Sequence, residues 1–281
     1  MNIEYILKDL SEHHIIDGVD IQFKKLNGGT NSQVYLLHGS EEYVVKINEA
    51  NIIGSESFFL EHYRHLSLLP EPIYIDPLNR FLVYSFISGS VFHVKKEDLL
   101  TQLITDFINY YNHLSEYKGW GWLDEPVETW EEFLLQRVDG AREILASTLG
   151  EEDIEMVVDI LQQPDRYEAL DVPYIIHGDC GVHNFICSNG KFTGVIDPTP
   201  ILGDPLYDLI YAFCSSPENL TIETIHSAAS NLAIGKRSEP FLHEEVLIGL
   251  FLRLATCVKH HPVDLEKYLL AWKYWKDVVK T

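Results

Sequence analysis

The sequence predicts an α+β chain in two parts: a sheet-rich segment with one helix over residues 1–87, then a larger, mostly helical segment over 88–281. Three observations lead there. Runs of β-branched and aromatic residues bounded by turn formers crowd the first third. Apolar residues recur at three and four positions through much of the remainder. The composition changes at Ser88-Gly89. A chain of 281 residues is long enough for two parts with real cores, and 46% hydrophobic with 12% aromatic residues is a globular composition.

Taken in order, IQFKKLNGGTNSQVYLLHG reads as a strand, a Gly-Gly turn and a strand. Tyr43-Val44-Val45-Lys46-Ile47 is a short β-branched strand. Ser55 to Leu69 is helical, with Phe58, Phe59, Tyr63, Leu66 and Leu69 on one stripe and Pro70 closing it. PIYID and RFLVYSFI are two more strands around the turn PLN. Helices are then expected over Asp98–Tyr117, Trp130–Leu149, Ile154–Leu161, Ile222–Leu232, Glu244–Lys259 and Leu265–Val279. Between them, Tyr174 to Pro198 (YIIHGDCGVHNFICSNGKFTGVIDP) reads as strand, polar loop, strand, SNG turn and strand. No internal repeat or low-complexity segment interrupts this order.

No apolar run approaches the ~20 residues that cross a bilayer. The start, MNIEYILKDLSEHH, lacks the basic, apolar and small-residue zones of an export signal, so a cytoplasmic location is expected. With 21 Lys+Arg against 43 Asp+Glu, the formal charge is −22. Such a surface repels nucleic acid and anionic lipid, and neither is expected as a main partner. Simple solubility is the plain reading of that charge; a cleft that attracts small cations is the functional alternative. Cys180, Cys187, Cys214 and Cys257 form no C-x-x-C pair and read as reduced core thiols.

The chemistry concentrates in the 174–198 stretch. Asp179 and Asn184 flank its loop, and Asp197 follows an apolar strand. Each alone is an ordinary turn former. Together, a carboxylate, a carboxamide and a second carboxylate can seat Mg²⁺, which prefers hard oxygen ligands, beside a proton-accepting Asp. That is the apparatus of phosphoryl transfer to a hydroxyl. His177 and His183 invite a metal-dependent hydrolase reading, but no third ligand accompanies them. A buried His177 that bonds backbone or Asp197 and orients the loop is expected instead, with His183 a loop residue.

Lys46 is either an outward strand lysine or a grip on α- and β-phosphates, fixed by Glu56 or Glu61 on the following helix. Gly28-Gly29-Thr30-Asn31-Ser32 is either a plain hairpin turn or a phosphate-cradling loop. It lacks the pattern of a P-loop. GDPLYDLIY, with Asp208, reads as structural: a helix cap or a support for the loop. Trp120, Trp122 and Trp130 among Asp124, Glu125, Glu128, Glu131 and Glu132 read as core tryptophans beside a solvated acidic helix start.

With these residues assembled, the chain resembles the aminoglycoside phosphotransferase and choline kinase-like enzymes, small-molecule kinases of protein-kinase-like fold. HGDCGVHN has the Asp-to-Asn interval of the kinase catalytic loop, and IDP stands at the second aspartate. GGTNS matches the nucleotide loop, VVKI the phosphate-gripping lysine, LVYSFISG the hinge and GDPLYDL the segment after the metal aspartate. The resemblance implies a two-lobed fold and a reaction using ATP (or GTP) with Mg²⁺. It implies Asp179 as base, Asn184 and Asp197 as Mg²⁺ ligands, and Lys46 paired with Glu61 at the phosphates. It further implies Ser85, Phe86 and Ile87 at the adenine. The acceptor it implies is an aminoglycoside or similar cationic sugar or cyclitol. The alternatives are a metabolic small alcohol of choline, methylthioribose or fructosamine type, or a catalytically idle nucleotide-binding relative. Pro198 departs from the usual aromatic or hydrophobic residue there; IDPTPILGDPLYDL is closer to streptomycin-type 6-kinases.

Overall fold

The computed structural model describes residues 2–16, 21–26, 32–91, 94–114 and 117–281. The chain divides into two compact units, residues 1–91 with 185–199, and residues 92–184 with 200–281. The division expected after residue 87 thus falls slightly early. It also assigned residues 185–199 to the helical part, whereas they belong with the first unit, because their strands pair there.

The first unit begins with a helix absent from the sequence expectation, α1 (Ile3–Glu12), capped by the Asn2 side chain, which accepts from the Glu4 amide at 3.3 Å. Its buried Ile3, Ile6 and Leu10 form one cluster with Leu37, Val45, Ile47, Phe81 and Val83. Each such side chain contributes roughly 1.5–3 kcal/mol on burial. The partner surface is an antiparallel sheet of β1 (Gln22–Lys25), β2 (Gln33–His38), β3 (Glu42–Ile47), β4 (Pro72–Ile75) and β5 (Phe81–Ser85), in the order β1-β2-β3-β5-β4. Alternation along β3 sends Val45 and Ile47 to the α1 face and Lys46 to the opposite one.

Helix α2 (Ala50–His62) starts and ends earlier than the expected Ser55–Leu69. Beyond it the chain continues in tighter turns, Arg64 donating to Glu61 O, Leu66 to Tyr63 O and Leu69 to Leu66 O. Leu66 and Leu69 are nevertheless buried, which is why the apolar stripe extends past the helix. A second sheet joins β6 (Ser90–Val91) to the hairpin β10 (Phe185–Ser188) and β11 (Lys191–Val195). Asn189 (φ 52°) and Gly190 (φ 71°) make its two-residue turn, the left-handed pair that a tight hairpin requires.

The second unit holds α3 (Lys96–Asp106), β7 (Trp120–Trp122), β8 (Glu125–Val127), α4 (Trp130–Leu145), α5 (Glu151–Leu161) and β9 (Tyr174–Ile176). It continues after residue 199 with β12 (Ile201–Gly203), α6 (Pro205–Cys214), α7 (Ile222–Ala229), α8 (Glu239–His260) and α9 (Leu265–Val279). Its strands form one antiparallel sheet, β8-β7-β12-β9. Helix α8 packs on α4, α6 and α9. The core between them includes Phe213, Phe251, Tyr268 and Trp275, with the Tyr268 hydroxyl donating to Cys214 O at 2.9 Å and the Trp275 indole to Leu220 O at 2.9 Å. Helix α9 has its expected bounds. The helix expected over Asp98–Tyr117 stops at Asp106, where Phe107 takes φ −138° and ψ −69°. Strands of two or three residues (β6, β7, β8, β12) went unforeseen, being too short to show alternation. Among the described residues no helix is long and apolar enough to cross a membrane.

Candidate active site

In the second unit, β9 delivers the chain into the loop His177–Asn184. Asp208, fully buried on α6, braces its start: Oδ2 accepts from the His177 amide at 2.8 Å and the Tyr111 hydroxyl at 2.7 Å, and Oδ1 from the Gly178 amide at 2.9 Å. Gly178 sits at φ 80°, a bend that favours glycine. Burial pushes the Asp208 carboxyl up to about 6, against the opposing pull of Tyr111 and the two amides. Asp208 is therefore the loop's support; the cap of α6 is Asp204, which accepts from Leu206. His177 is buried, and its Nδ1 accepts from the Asp179 amide at 3.2 Å, the backbone-bonded, loop-orienting place expected for it.

The loop points Asp179 at a ring of donors. Asn184 Nδ2 lies 2.9 Å from both Asp179 O and Asp179 Oδ2, and His183 Nε2 lies 3.3 Å from Oδ2. The Tyr211 hydroxyl also donates to this carboxylate. Burial alone would raise the Asp179 carboxyl; the bonds from His183 and Tyr211 and the charge of His183 outweigh it and hold the group below its ordinary value. Gly181 makes room for this ring, since a Cβ there would come within 2.4 Å of the His183 imidazole. With its amide nitrogen turned to Asp179, Asn184 is left with its carboxamide oxygen as the hard donor suited to Mg²⁺. His183, expected only as a loop residue, is a direct partner of Asp179.

Beside Tyr211 opens a narrow cleft. Tyr207, Tyr211 and Ser215 from α6 and its end line it, with Arg137 from α4 and Glu245 and Arg253 from α8. The Ser215 hydroxyl accepts from the Val182 amide at 3.2 Å, which ties the cleft wall to the loop. Sequence reasoning missed Tyr211 and the arginines. Tyr207 and Tyr211 stand one helical turn apart in the segment already marked by Asp208, but nothing in that spacing shows the helix returning to the loop.

In the first unit, Lys46 is buried, and its Nζ pairs with Glu56 at 2.5 Å and with Asp197. Burial alone would lower the lysine, yet the two carboxylates overcome it and keep the ammonium charged. The Lys46 partner is therefore Glu56, not the expected Glu61, which is half exposed and pairs with Arg64 at 3.4 Å. The reason lies in helical phase: Glu56 is on the buried side of α2 and Glu61 on the solvent side. Asp197 adopts φ 62°, a left-handed conformation that an Asp tolerates better than most residues, and its carboxylate is partly exposed.

Gly28, Gly29, Thr30 and Asn31 lie outside the described residues. Ser32 accepts from the Asn48 side chain at 2.8 Å. At the expected hinge, the Ser85 amide is bonded to Glu71 O and the Phe86 amide to Glu42 O. Among the described residues only Ile87 of the three keeps an amide without a backbone acceptor.

Trp130 is buried against Phe133 and Tyr207, as a core tryptophan, while Asp124, Glu125, Glu128 and Glu132 face solvent. All four cysteines are buried and free.

The sequence model of the phosphotransferase enzyme family (APH) matches residues 22–241. No curated protein matches the chain by sequence. Among solved structures, a protein assigned as a fructosamine-3-kinase from Haemophilus somnus 129PT aligns with a TM-score of 0.65 at 18% identity, covering 98% of this chain and 96% of that one. The GDP and kanamycin complex of APH(2″)-IIIa aligns at 0.63 and 17% identity, covering 98% and 99%. A thermostable mutant of aminoglycoside phosphotransferase APH(4)-Ia, in ternary complex with AMP-PNP and hygromycin B, aligns at 0.61 and 18%, covering 98% and 97%. The fold is thus the protein-kinase-like fold of these small-molecule kinases.

Proposed function

Because the chain belongs to the phosphotransferase enzyme family and is a small-molecule kinase, we propose that it transfers the γ-phosphoryl group of ATP or GTP to a hydroxyl of a small molecule, with Asp179 as the base. The observation that carries this reading is the Asp179 carboxylate, kept ionised by His183 and Tyr211, bonded by Asn184 and joined through Tyr211 to an adjacent cleft with a few polar groups in an apolar wall. The acceptor oxygen bonds to the γ-phosphorus as the bond to the nucleoside diphosphate breaks, and its proton passes to Asp179. Lys46, steadied by Glu56, holds the α- and β-phosphates. Gly28–Ser32 and Ile87, with Ser85 and Phe86 beside it, form the nucleotide seat.

Asn184 and Asp197 offer the oxygen donors Mg²⁺ favours. When bound with the nucleotide, the ion neutralises charge that develops on the phosphate oxygens. Nucleotides in two of the similar structures support a nucleotide donor, and hygromycin B and kanamycin there make an aminoglycoside or related cationic sugar the first acceptor class to test. The fructosamine-kinase likeness supports a metabolic alcohol equally well.

Replacing Asp179 with Ala tests the mechanism. The expected outcome is a loss of phosphoryl transfer of about 10²–10⁴-fold, with melting behaviour and nucleotide binding retained. Full transfer by the folded variant overturns the assignment.

A further inference from the structure

The charged residues lining the cleft beside Tyr211 are Arg137, Arg253 and Glu245. Glu245 is already matched: Arg166 Nη2 approaches it at 2.7 Å, and Arg166 also pairs with Glu244. The two remaining guanidinium groups have no such match, since among the described residues no carboxylate forms an ion pair with either. Aromatic rings hold them instead. Arg137 lies over Trp122 at 5.1 Å and over Phe133 at 6.0 Å. Arg253 lies over Tyr268 at 5.3 Å and gives only its Nε to that hydroxyl, at 3.0 Å. Stacking fixes a guanidinium plane while leaving its edge donors for a ligand.

A second observation points into the same space. The Tyr207 hydroxyl lines the cleft, is buried, and lacks a hydrogen-bond partner among the described residues. A buried hydroxyl left in that state is costly, and a polar ligand in the cleft would satisfy it. The apolar wall, including Leu134, Ile210 and Ile248, leaves these few polar groups to orient whatever enters.

We infer that the acceptor is an anionic alcohol, a small molecule bearing a carboxylate or phosphate group that Arg137 and Arg253 bind while its hydroxyl is phosphorylated. The inference rests on the phosphotransfer reading above and reverses the charge of acceptor expected from the sequence. The −22 formal charge belongs to the whole chain, whereas the cleft's unmatched charge is positive. Planar guanidinium forks engage carboxylate or phosphate through paired hydrogen bonds and repel the ammonium groups of an aminoglycoside.

The test separates the two readings. A small-molecule cell extract is divided on anion and cation exchangers, and each fraction is incubated with the protein, Mg²⁺ and γ-labelled ATP. Label should pass to compounds retained by the anion exchanger, with Arg137→Gln and Arg253→Gln raising the apparent KM for that fraction about tenfold or more and changing kcat less. Acceptor found only in the cation-exchanger or unretained fractions overturns the inference while leaving the phosphotransfer reading standing. In parallel, the melting temperature is followed with tartrate, the neutral alcohol erythritol and kanamycin. Tartrate should stabilise the wild type, above either other compound, and lose that effect in both variants. Equal stabilisation of wild type and variants, or none by tartrate, overturns the anionic cleft. If no fraction accepts label, it is the phosphotransfer reading that fails, and the tartrate series still decides the chemistry of the cleft.

Discussion

Two glutamates on one helix have opposite fates. Glu56 is buried against Lys46 at 2.5 Å, while Glu61 meets solvent and Arg64. A buried charge removed from its partner leaves the other uncompensated, whereas an exposed pair is screened. Glu56→Gln is accordingly expected to lower kcat/KM for ATP by about ten- to a hundredfold, the equivalent of the ~1.5–3 kcal/mol of a hydrogen bond to a charged group. Glu61→Gln should stay within about twofold. Steady-state kinetics of the two variants check this, and equal effects would contradict the assignment. At Asp179 the same scale shows how a partly buried carboxylate stays ionised: donors from a histidine, an asparagine and a tyrosine converge on it. The Asp and Asn were legible from their interval in the loop. The tyrosine was not, because only the packing of α6 brings it back to the loop.

At the scale of elements, helix ends carry much of the second unit's order. Lys96, in the first turn of α3, is buried with its Nζ donating to Phe213 O at 2.9 Å, Ser216 O at 2.8 Å and Glu218 O at 2.5 Å. Three carbonyls at and beyond the end of α6 thus share one ammonium. Lys96→Met would leave them unsatisfied, and a loss of about 2–4 kcal/mol is expected in denaturant unfolding. A change below ~0.5 kcal/mol would show the cage to be ornamental. Helices α7 and α8 meet through His226 and His243, stacked with their Nε2 atoms 2.8 Å apart. Burial, then the neighbouring His226, hold the His243 imidazole below its ordinary value. Below about pH 6.5, the ordinary histidine value, the unfolded chain therefore binds more protons at this position than the folded one. Stability present at neutral pH is lost as the pH falls through that range. Melting temperatures between pH 7.5 and 5.5 should decline in the wild type and decline less in His243→Asn; identical profiles would remove the role of this pair.

Across the whole molecule, net charge and site charge diverge. The sequence shows 43 acidic against 21 basic side chains, a sum that by itself reads as solubility; the cationic acceptor was implied by the family resemblance. A sum carries no positions. The fold spends Arg166 on Glu244 and Glu245 and leaves Arg137 and Arg253 on aromatic rings at the cleft. By itself the sequence determined the fold class, the order of sheet-rich and helical parts, the loop bearing Asp179 and Asn184, and Lys46 on its strand, because these are written in local periodicity and short intervals. Tertiary structure alone decided that Glu56 rather than Glu61 meets Lys46, that the 185–199 hairpin joins the first unit, and which charges line the cleft. Those outcomes depend on helix phase, strand pairing and burial, which set the partner of each charge only once distant segments have packed.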